Sequence, residues 1–451
     1  MGKLFGTDGI RGKANTYPMD GPMAFRVGQA VTHFLRNKGQ RPLIVVGRDT
    51  RISGFMLERA VESGIASMGG TSYSVGILPT PGVAYMAKQM NADAAIVISA
   101  SHNLYEDNGL KIFVGNGFKL ADEQEEAIED LVLGQNLNDL VPSAKEVGNG
   151  IMIQDAVTQY GAFLKKVFPP GLSMKGMKIV VDTSNGATFE VAPWVFNELG
   201  ADCEVIHNQP DGVNINDNCG SQYTQDLERR VKETGAAIGL AFDGDGDRLI
   251  AVDENGHAIT GDQALIICAK GLKDQGKLEN NLLVSTVMSN LGLTIACRKN
   301  GIEHHAAKVG DRYVLEQMRR LGAVVGGEDS GHMIFLKHHT TGDGTLAAIQ
   351  LIVSMLREEK TLSEMSAIMD VYPQELINVE VNRKPDISSV PGLVEAIKAV
   401  EEELGDQGRV LVRYSGTQNV CRVMVEGPTQ GLTARFSKQL AEIVQSTLGQ
   451  S

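Results

Sequence analysis

One pattern recurs three times along the chain: an apolar run, a turn of small polar residues and then a helical periodicity. The copies begin near Ile44, Lys178 and Leu282. They are spaced on the order of 100 to 140 residues apart, which is the size of a domain. Strands that alternate with helices in this way predict a mainly parallel sheet. We therefore expect three related α/β domains with mainly parallel mixed sheets.

The last part of the chain has a different pattern. After Pro373 the sequence predicts a strand at 375–381, a helix near 390–404, a pair of strands around 414–419 and a final helix. This order is typical of a smaller α+β domain. The expected domains span residues 1–150, 151–253, 254–367 and 368–451.

Composition limits the compartment and the partners. The chain has 451 residues, 42% of them hydrophobic and 22% charged, so it is globular and too long for one core. Its net charge of −13 disfavours nucleic acid and membranes as partners, although a local basic cluster can still bind a small anionic substrate. Five scattered cysteines and no visible signal peptide favour a reducing, cytoplasmic location. Whether the chain forms a homodimer is left open.

A serine follows what the sequence predicts to be a buried strand. The run Ala94–Ile98 is short and uninterrupted, and Ser101, His102 and Asn103 come shortly after it. Because ligands gather beyond the carboxyl ends of parallel strands, a hydroxyl at this edge is placed for chemistry. The simpler alternative is that these residues only form a turn. Lys111, further along, is a candidate base or phosphate partner.

The residues beside Ser101 indicate what kind of nucleophile it would be. Serine hydrolases of the acyl type use Gly-x-Ser-x-Gly, whereas Ala100 and His102 flank Ser101. A phosphate ester is therefore favoured over an acyl ester, since the chain also contains motifs suited to metals and to phosphate.

Three aspartates at alternate positions form the strongest metal-type motif. Asp243, Asp245 and Asp247 are separated by glycines and follow the apolar run Ile238–Phe242. Carboxylates in this pattern can converge on one hard cation, and such oxygen ligands select Mg²⁺ or Ca²⁺. Without a cation the three charges would repel one another.

Three other interpretations of this triplet compete. An EF-hand loop also begins Asp-x-Asp-x-Asp, but Arg248 stands where that loop needs glycine, and both flanks have strand patterns. A haloacid-dehalogenase-like phosphatase would use Asp243 as its nucleophile, although Asp247 stands where that family has Thr or Val. The third interpretation is a solvated acidic loop without a ligand.

Two segments suit a sugar and the anion that it carries. Residues 2–12 are rich in glycine and include Arg11, so backbone N–H groups and a guanidinium can approach an anion. Glu328 and Ser330 offer an acceptor and a donor on one loop, as vicinal sugar hydroxyls require. Each segment alone is also compatible with an ordinary turn.

A further segment near the C-terminus has the donors that a phosphate needs. Residues 413–419, together with Arg422, set two guanidinium groups around a Ser-Gly-Thr turn. Guanidinium groups, hydroxyls and backbone N–H groups are the donors that bind a phosphate dianion.

Together these segments resemble the α-D-phosphohexomutase superfamily, and most closely its bacterial amino-sugar branch. The resemblance runs almost from end to end and rests on the order of the motifs as well as on each motif. The matching stretches are Phe5–Gly12, Ser99–Asn103, Asp243–Arg248, Val309–Tyr313, Gly326–His332, Thr340–Gly344 and Arg413–Gly427.

The resemblance implies four domains around a central cleft and an isomerase that uses a phosphoserine. Glucosamine 6-phosphate and glucosamine 1-phosphate would interconvert through a hexosamine 1,6-bisphosphate. This reaction would feed the synthesis of UDP-N-acetylglucosamine and of the cell wall. Ser101 would be the phosphoserine, and Mg²⁺ would bind Asp243, Asp245 and Asp247 together with that phosphate. The alternatives are a phosphoglucomutase or phosphomannomutase of the same superfamily and, from another class, a sugar phosphatase with an aspartate nucleophile.

The same resemblance implies roles for further residues. The Ser101 oxygen should be accessible and close to the aspartates, since a buried or distant oxygen would contradict the mechanism. Besides Ser101, the catalytic residues would be His102, Lys111, Arg11 and Arg248, the substrate-binding residues Lys308, Gly310, Asp311, Arg312, Glu328, Ser330 and His332, and the phosphate-binding residues Arg413, Ser415, Gly416, Thr417 and Arg422.

The chain departs from the family's pattern at three places. Leu104 replaces a proline, Gln222–Thr224 replaces Thr-His-Pro, and Gln418–Asn419 replaces Glu-Pro or Glu-Asn. The first change mainly loosens a loop, whereas the others affect loops that we expect to contribute to specificity or to domain contacts. The identity of the sugar is therefore less firmly predicted than the reaction.

Overall fold

The computed structural model describes residues 4–6, 8–36, 41–134, 137–415 and 419–449. The chain divides into two compact units, one formed by Met1–Val287 with Ile302–Ile368 and the other by Met288–Gly301 with Met369–Ser451. Among the described residues, no helix has both the length and the apolar character that crossing a membrane requires.

The first sheet has six strands. Strand β5 runs antiparallel to both of its neighbours, and the other pairs are parallel. The elements are β1 (Ile10–Lys13), α1 (Gly21–Arg36), β2 (Leu43–Arg48), α2 (Ile52–Ser67), β3 (Thr71–Ile77), α3 (Thr80–Gln89), β4 (Ala94–Ile98), β5 (Asp107–Val114), α4 (Asp122–Gly134) and β6 (Asn149–Met152), and the strand order is β1-β5-β4-β2-β3-β6.

The second sheet has four strands, of which the last is antiparallel to its neighbour. The elements are α5 (Ala156–Val167), β7 (Lys178–Asp182), α6 (Val191–Glu198), β8 (Asp202–Ile206), α7 (Gln225–Thr234), β9 (Ile238–Phe242) and β10 (Leu249–Val252), and the strand order is β10-β9-β7-β8.

The third sheet also has four strands, again with the last one antiparallel. The elements along this part of the chain are α8 (Gly261–Asp274), β11 (Leu282–Thr286), α9 (Leu291–Lys299), β12 (Glu303–Ala307), α10 (Asp311–Leu321), β13 (Val325–Gly327), β14 (Met333–Phe335), α11 (Gly344–Glu358) and α12 (Leu362–Ser366), and the strand order is β12-β11-β13-β14.

The three sheets share one connectivity. The orders β5-β4-β2-β3, β10-β9-β7-β8 and β14-β13-β11-β12 are the same sequence of fourth, third, first and second strand. Strands β4, β9 and β11 are buried along their whole length, as expected where helices cover both faces of a sheet. The prediction of three related α/β domains is confirmed.

The second unit contains an antiparallel sheet with the order β15-β17-β16. It confirms the predicted smaller α+β domain. Helix α9 belongs to this unit, since the buried Glu426 accepts the Leu291 N–H at 3.0 Å. The remaining elements are β15 (Gln374–Glu380), α13 (Leu393–Leu404), β16 (Arg409–Tyr414), β17 (Val420–Glu426) and α14 (Gln430–Leu448).

Candidate active site

Three predicted functional loops occupy the same place in three copies of one fold. Ser101 lies between β4 and β5, the aspartate triplet between β9 and β10, and Glu328 between β13 and β14. In each sheet this loop joins the third strand of the repeat to the antiparallel fourth strand. The internal repeat therefore explains why segments far apart in the sequence supply one site.

Ser101 contacts the first aspartate of the triplet. Its Oγ donates a hydrogen bond to Asp243 Oδ2 at 2.7 Å and lies 3.4 Å from His102 Nδ1. Burial, followed by the cations Arg248 and Arg11, lowers the pKa of His102 to about 4. The imidazole is therefore neutral near pH 7.

The exposure of Ser101 differs from the expectation. The residue is only 1% exposed, so the prediction of an accessible oxygen is wrong. Of the two conditions set for the mechanism, only the short distance to an aspartate is met, and transfer requires the hydroxyl to turn out of this buried position. The hydroxyl is buried because it turns inward to Asp243, which is itself buried, and because His102 lies next to it. Since two anions repel, a phosphoryl group on Ser101 would have to move away from Asp243 unless a cation separated them.

The aspartate triplet has the properties of a divalent cation site. One oxygen from each of Asp243, Asp245 and Asp247 lies within 4.8 Å of the others, and all three side chains are buried. Oδ1 of Asp245 and Oδ1 of Asp247 have no hydrogen-bond partner. Buried acceptors without donors cost free energy, and a hard cation removes that cost. Carboxylate oxygens fit Mg²⁺, and the strands on both sides exclude the helix-loop-helix of an EF-hand.

The members of the triplet differ in their electrostatic environment. Burial, followed by repulsion from Asp247 and Asp245, raises the pKa of Asp243 well above its usual range. Burial acts in the same direction on Asp247, but Lys111 and His332 outweigh it and hold the pKa of Asp247 well below its usual range. Asp243 is therefore the carboxylate whose ionisation a bound cation would favour most.

Lys111 lies at the centre of the buried charges. Its Nζ lies 2.7 Å from Asp245 Oδ2, 3.1 Å from Asp8 Oδ2 and 3.5 Å from Asp247 Oδ2. Burial alone would lower the pKa of Lys111, but these carboxylates raise it above its usual value. Of its two expected roles, the geometry favours a protonated phosphate partner over a general base.

Asp8 forms ion pairs with three neighbouring cations, Arg11, Lys111 and Lys119. Arg11 Nη2 lies 2.5 Å from Asp8 Oδ2, the oxygen that Lys111 also contacts, and Lys119 binds both Asp8 and Asp311. Burial raises the pKa of Asp8, but Lys111, Lys119 and Arg11 hold it well below its usual range. Arg11 and Lys111 are thus held side by side, as the binding of a phosphate dianion requires.

His332 and Arg248 join the sugar loop to the triplet. Their backbones form an isolated antiparallel bridge, and His332 Nδ1 lies 3.5 Å from Asp247 Oδ1. On the other side of the ring, Nε2 lies 3.6 Å from Asp311 Oδ2. Burial alone would lower the pKa of His332, but Asp247, Asp311 and Glu328 raise it to about 9. His332 is therefore a cation at neutral pH.

The predicted sugar loop presents one oriented carboxylate and one buried hydroxyl. Glu328 Oε1 accepts the Gly310 N–H at 3.0 Å, and Ser330 Oγ is buried without a hydrogen-bond partner. Lys308 is exposed, with its Nζ 5.9 Å from the ring centroid of Tyr313. The loop therefore offers the donor and acceptor that the sequence indicated.

Arg312 contacts another part of the first unit. Its guanidinium forms ion pairs with Asp122 and Glu125 of α4. Both terminal nitrogens of Arg312 contact carboxylates in this structure, and its role in substrate binding stays a prediction.

Two arginines face each other in the second unit. Arg413 and Arg422 are directly opposite across β16 and β17, where like charges destabilise a sheet. Burial, followed by the charge of Arg422, lowers the pKa of Arg413. Nε of Arg422 is buried without a hydrogen-bond partner. A shared anion would stabilise this pair, which fits the predicted phosphate site.

The turn next to these arginines is described only in part. Ser415 is buried, and its carbonyl accepts Lys384 Nζ at 2.8 Å. Gly416 and Thr417, which were expected to bind phosphate, lie outside the described residues.

Sequence reasoning missed two side chains of the site. Thr80 Oγ1 donates to Asp245 Oδ2 at 2.5 Å, and its backbone N–H donates to the Asp245 carbonyl at 2.8 Å. Lys119 links Asp8 to Asp311. The position of Thr80 just after the parallel strand β3 was a signal that could have identified it.

A second group of metal-type side chains lies at the carboxyl end of β7. One atom from each of Asp182, His207 and Cys219 lies within 4.8 Å of the others. Both oxygens of Asp182 already accept backbone N–H groups, from Ser184 at 2.8 Å and from Gly220 at 2.9 Å. Asp182 therefore links the loop that contains Ser184 to the loop that contains Gly220.

Comparison with known proteins places this geometry in a family. Models of four domains described as phosphoglucomutase/phosphomannomutase match the chain in order: α/β/α domain I at residues 2–138, domain II at 160–256, domain III at 260–372 and the C-terminal domain at 376–443. A phosphoglucosamine mutase from Syntrophobacter fumaroxidans is 65% identical, with 100% of each chain covered. The chain belongs to the phosphoglucomutase/phosphomannomutase family.

Further relatives and structures agree with this membership. A phosphoglucosamine mutase from Syntrophus aciditrophicus is 57% identical, again with 100% of each chain covered. A family structure from Burkholderia thailandensis superimposes with a TM-score of 0.80 at 24% identity, covering 98% of this chain and 97% of that one. An N-acetylphosphoglucosamine mutase from Aspergillus fumigatus, in complex with GlcNAc-6P and magnesium, gives a TM-score of 0.69 at 17% identity, covering 98% and 95%. At these identities the two structures show the fold.

The departures from the family's pattern lie outside the buried contacts of the triplet. Leu104 is 47% exposed, and Tyr223 is likewise 47% exposed. Gln418 lies outside the described residues.

Proposed function

We propose that the protein interconverts glucosamine 6-phosphate and glucosamine 1-phosphate through a phosphoserine at residue 101 and a hexosamine 1,6-bisphosphate. The observation that carries the proposal is the 2.7 Å contact between Ser101 Oγ and Asp243, inside a triplet in which Asp245 Oδ1 is buried without a hydrogen-bond partner. A hydroxyl held against a cation site and surrounded by lysine and arginine is suited to phosphoryl transfer. This reaction depends on positioning and charge neutralisation more than on other covalent chemistry.

The first half-reaction moves the phosphoryl group from Ser101 to the sugar. The free hydroxyl of the sugar forms a bond to phosphorus while the bond between phosphorus and Ser101 Oγ breaks. The hydroxyl proton passes to a base, and Ser101 Oγ takes up a proton as it leaves. His102 Nδ1, 3.4 Å from Ser101 Oγ, is placed to exchange a proton with that oxygen, whereas the surrounding carboxylates raise the pKa of Lys111 and favour its protonated form.

The second half-reaction returns the other phosphoryl group to Ser101. The bisphosphate turns round, and Ser101 Oγ loses its proton as it forms the new bond to phosphorus. The bond between that phosphorus and the sugar oxygen breaks, and the released sugar oxygen takes a proton. Lys111 and Arg11, which share Asp8, would bind the phosphoryl oxygens in both halves.

Asp243, Asp245 and Asp247 would hold Mg²⁺, which would neutralise charge on the transferring phosphoryl group. Thr80 and Lys111 occupy Oδ2 of Asp245, so the unpartnered Oδ1 is the oxygen that remains for the cation.

The remaining contacts bind the sugar and the phosphate that is not transferred. Glu328 and Ser330 would bind hydroxyls of a sugar ring, and the opposed pair Arg413 and Arg422 would bind a phosphate dianion. Because the bisphosphate presents either end in turn, a site that recognises only the dianion suits both orientations.

The choice of an amino sugar rests on the relatives. The curated relatives that are 50% to 65% identical over nearly the whole chain are named phosphoglucosamine mutase. Hexose phosphates with other groups at C2 test this choice, since a site that hydrogen-bonds the C2 group discriminates against a sugar that lacks it.

Two measurements test the proposal. Intact mass of the wild type and of Ser101→Ala, after exposure to a hexose 1,6-bisphosphate, should show one added phosphate in the wild type and none in the variant. A wild type that never gains phosphate, or that releases it to water as a phosphatase with Asp243 as nucleophile would, contradicts the mutase. The values of kcat/KM for the 6-phosphates of glucosamine, glucose and mannose then decide the sugar, and a preference for glucose or mannose would overturn the amino-sugar assignment.

A further inference from the structure

Ser101 is held in a conformation that serine rarely adopts. Its φ of 55° lies in the left-handed region, where a residue with a Cβ is strained by about 1 kcal/mol or more. Its backbone N–H donates to Ser99 Oγ at 2.9 Å, which fixes one side of the residue. On the other side of the residue, the Ser101 carbonyl accepts hydrogen bonds from two side chains, Arg51 and Asn216.

Arg51 holds the carbonyls of the Ser101 loop from one side. It is 1% exposed, and its Nη2 donates to the Ser101 carbonyl at 3.2 Å and also to the Asn103 carbonyl. Nη1 forms an ion pair with Asp49, which also accepts the Ser99 hydroxyl at 2.5 Å. A buried guanidinium is costly unless it is paired and hydrogen-bonded, and Nη1 and Nη2 of Arg51 are both engaged, although Nε is buried without a hydrogen-bond partner. The side chain is therefore held in place by the partners of its two terminal nitrogens.

Asn216 holds the same two carbonyls from the second sheet domain. Its Nδ2 donates to the Ser101 carbonyl at 2.9 Å and to the Asn103 carbonyl at 2.8 Å. The residue is 2% exposed and has φ of 58°. Gly244, next to the first aspartate of the triplet, packs against this contact: a Cβ there would lie 2.6 Å from Asn216 Nδ2 and 2.7 Å from the Ser101 carbonyl oxygen.

We propose that Arg51 and Asn216 are positioning residues that together clamp the carbonyls of Ser101 and Asn103 and keep the Ser101 oxygen directed at the aspartate triplet. This inference rests on the proposed function, because it explains how the phosphoryl carrier is aimed. Arg51 and Asn216, from two domains, donate to the same two carbonyls, so the Ser101 loop is held in a fixed position relative to the triplet. A displacement of about 1 Å at a reacting atom costs about 100-fold in rate.

The test removes the amide of Asn216 without removing its backbone conformation. Asn216→Gly permits a positive φ, and Asn216→Asp keeps the shape but replaces the donor with a carboxylate oxygen. Asn218, two residues away, is the matched control, since it also has a positive φ of 50° but is exposed, and its side-chain amide donates to Asp217 at 2.9 Å. The control variants are Asn218→Gly and Asn218→Asp, and Arg51→Lys tests the other half of the clamp.

The readouts separate positioning from mere loss of stability. Phosphoserine content by intact mass gives the concentration of competent enzyme, and single-turnover transfer to glucosamine 1-phosphate gives the rate per phosphorylated chain. We expect both Asn216 variants to lose about 10- to 100-fold in that rate and in kcat, with KM changed less than about threefold. The fraction of phosphate released to water should rise, and the Asn218 variants should match the wild type.

The proposal is overturned if phosphorylated Asn216→Gly transfers at the wild-type rate, or if the Asn218 variants lose as much. It is also overturned if Arg51→Lys leaves the rate per phosphorylated chain unchanged. Failure of the proposed function looks different, since the wild type itself would then take up no phosphate at Ser101 or transfer none to the sugar.

Discussion

The opposed arginines of the C-terminal sheet should make the second unit less stable than it could be. Arg413 and Arg422 occupy directly opposite positions on β16 and β17 and therefore project from the same face. Like charges in this position cost about 0.2 to 1 kcal/mol. Since both side chains are half-buried and partly screened by solvent, a value of about 0.5 kcal/mol is appropriate. Arg422→Gln removes the repulsion and keeps a side chain of similar length.

The expected result is a variant that is more stable and less able to bind phosphate. For a unit of about 100 residues, about 0.5 kcal/mol raises the melting midpoint by about 2 to 4 °C. A phosphate ligand at 100 times its Kd stabilises the wild type by about 2.7 kcal/mol, and the variant should lose most of that response.

Differential scanning calorimetry of the full chain, with and without glucose 6-phosphate, measures both effects. Arg435→Gln is the control, because Arg435 is an exposed residue of α14 in the same unit and pairs with Glu403. The reasoning is refuted if Arg422→Gln melts below the wild type in phosphate-free buffer, or if the variant keeps the full stabilisation by the sugar phosphate.

Three further predictions concern the first unit. Asp243→Asn should weaken Mg²⁺ binding by about 100-fold or more in calorimetric titration. The control Asp274→Asn changes an exposed residue that pairs with Lys270 and should leave the affinity for Mg²⁺ unchanged. Equal affinities of the two variants would contradict the cation site. Thr80→Val removes the hydrogen bond to Asp245 Oδ2, so the affinity for Mg²⁺ should fall about 10-fold while Ser101 still accepts phosphate. An unchanged affinity for Mg²⁺ would show that Thr80 does not orient the carboxylate. Burial raises the pKa of Asp343 to about 7, despite hydrogen bonds from Leu346 and Tyr160. Because the folded chain then binds this proton more tightly than the unfolded chain, the carboxyl should make stability fall as the pH rises from about 4 through about 7. Asp343→Asn should make the melting temperature less dependent on pH in that range, and an identical pH profile would contradict the shift.

The repeated fold was predictable because it depends on patterns that are local in sequence. Fully apolar runs such as Ala94–Ile98 and Ile238–Phe242 become strands buried on both faces, and polar loops follow them at the carboxyl edge. The place of Ser101 and of the aspartate triplet followed from those two facts together with the resemblance of their motifs.

What the sequence did not show are contacts between side chains from different segments. Thr80 binds Asp245 although 165 positions separate them, and Arg312 forms ion pairs with residues of α4. The burial of Ser101 is of the same kind, since it depends on the direction in which a left-handed residue turns its side chain. A pattern of residue types indicates which groups are present, but the direction of each group is set by packing.

The most direct test of the central claim follows the phosphoryl group itself. Enzyme labelled with ³²P at Ser101 is mixed with excess glucosamine 1-phosphate and quenched at short times. We expect the label to leave the protein and to appear first in the bisphosphate and then in glucosamine 6-phosphate. Label that stays on Ser101, or that appears as inorganic phosphate without passing through the sugar, would contradict transfer from this serine.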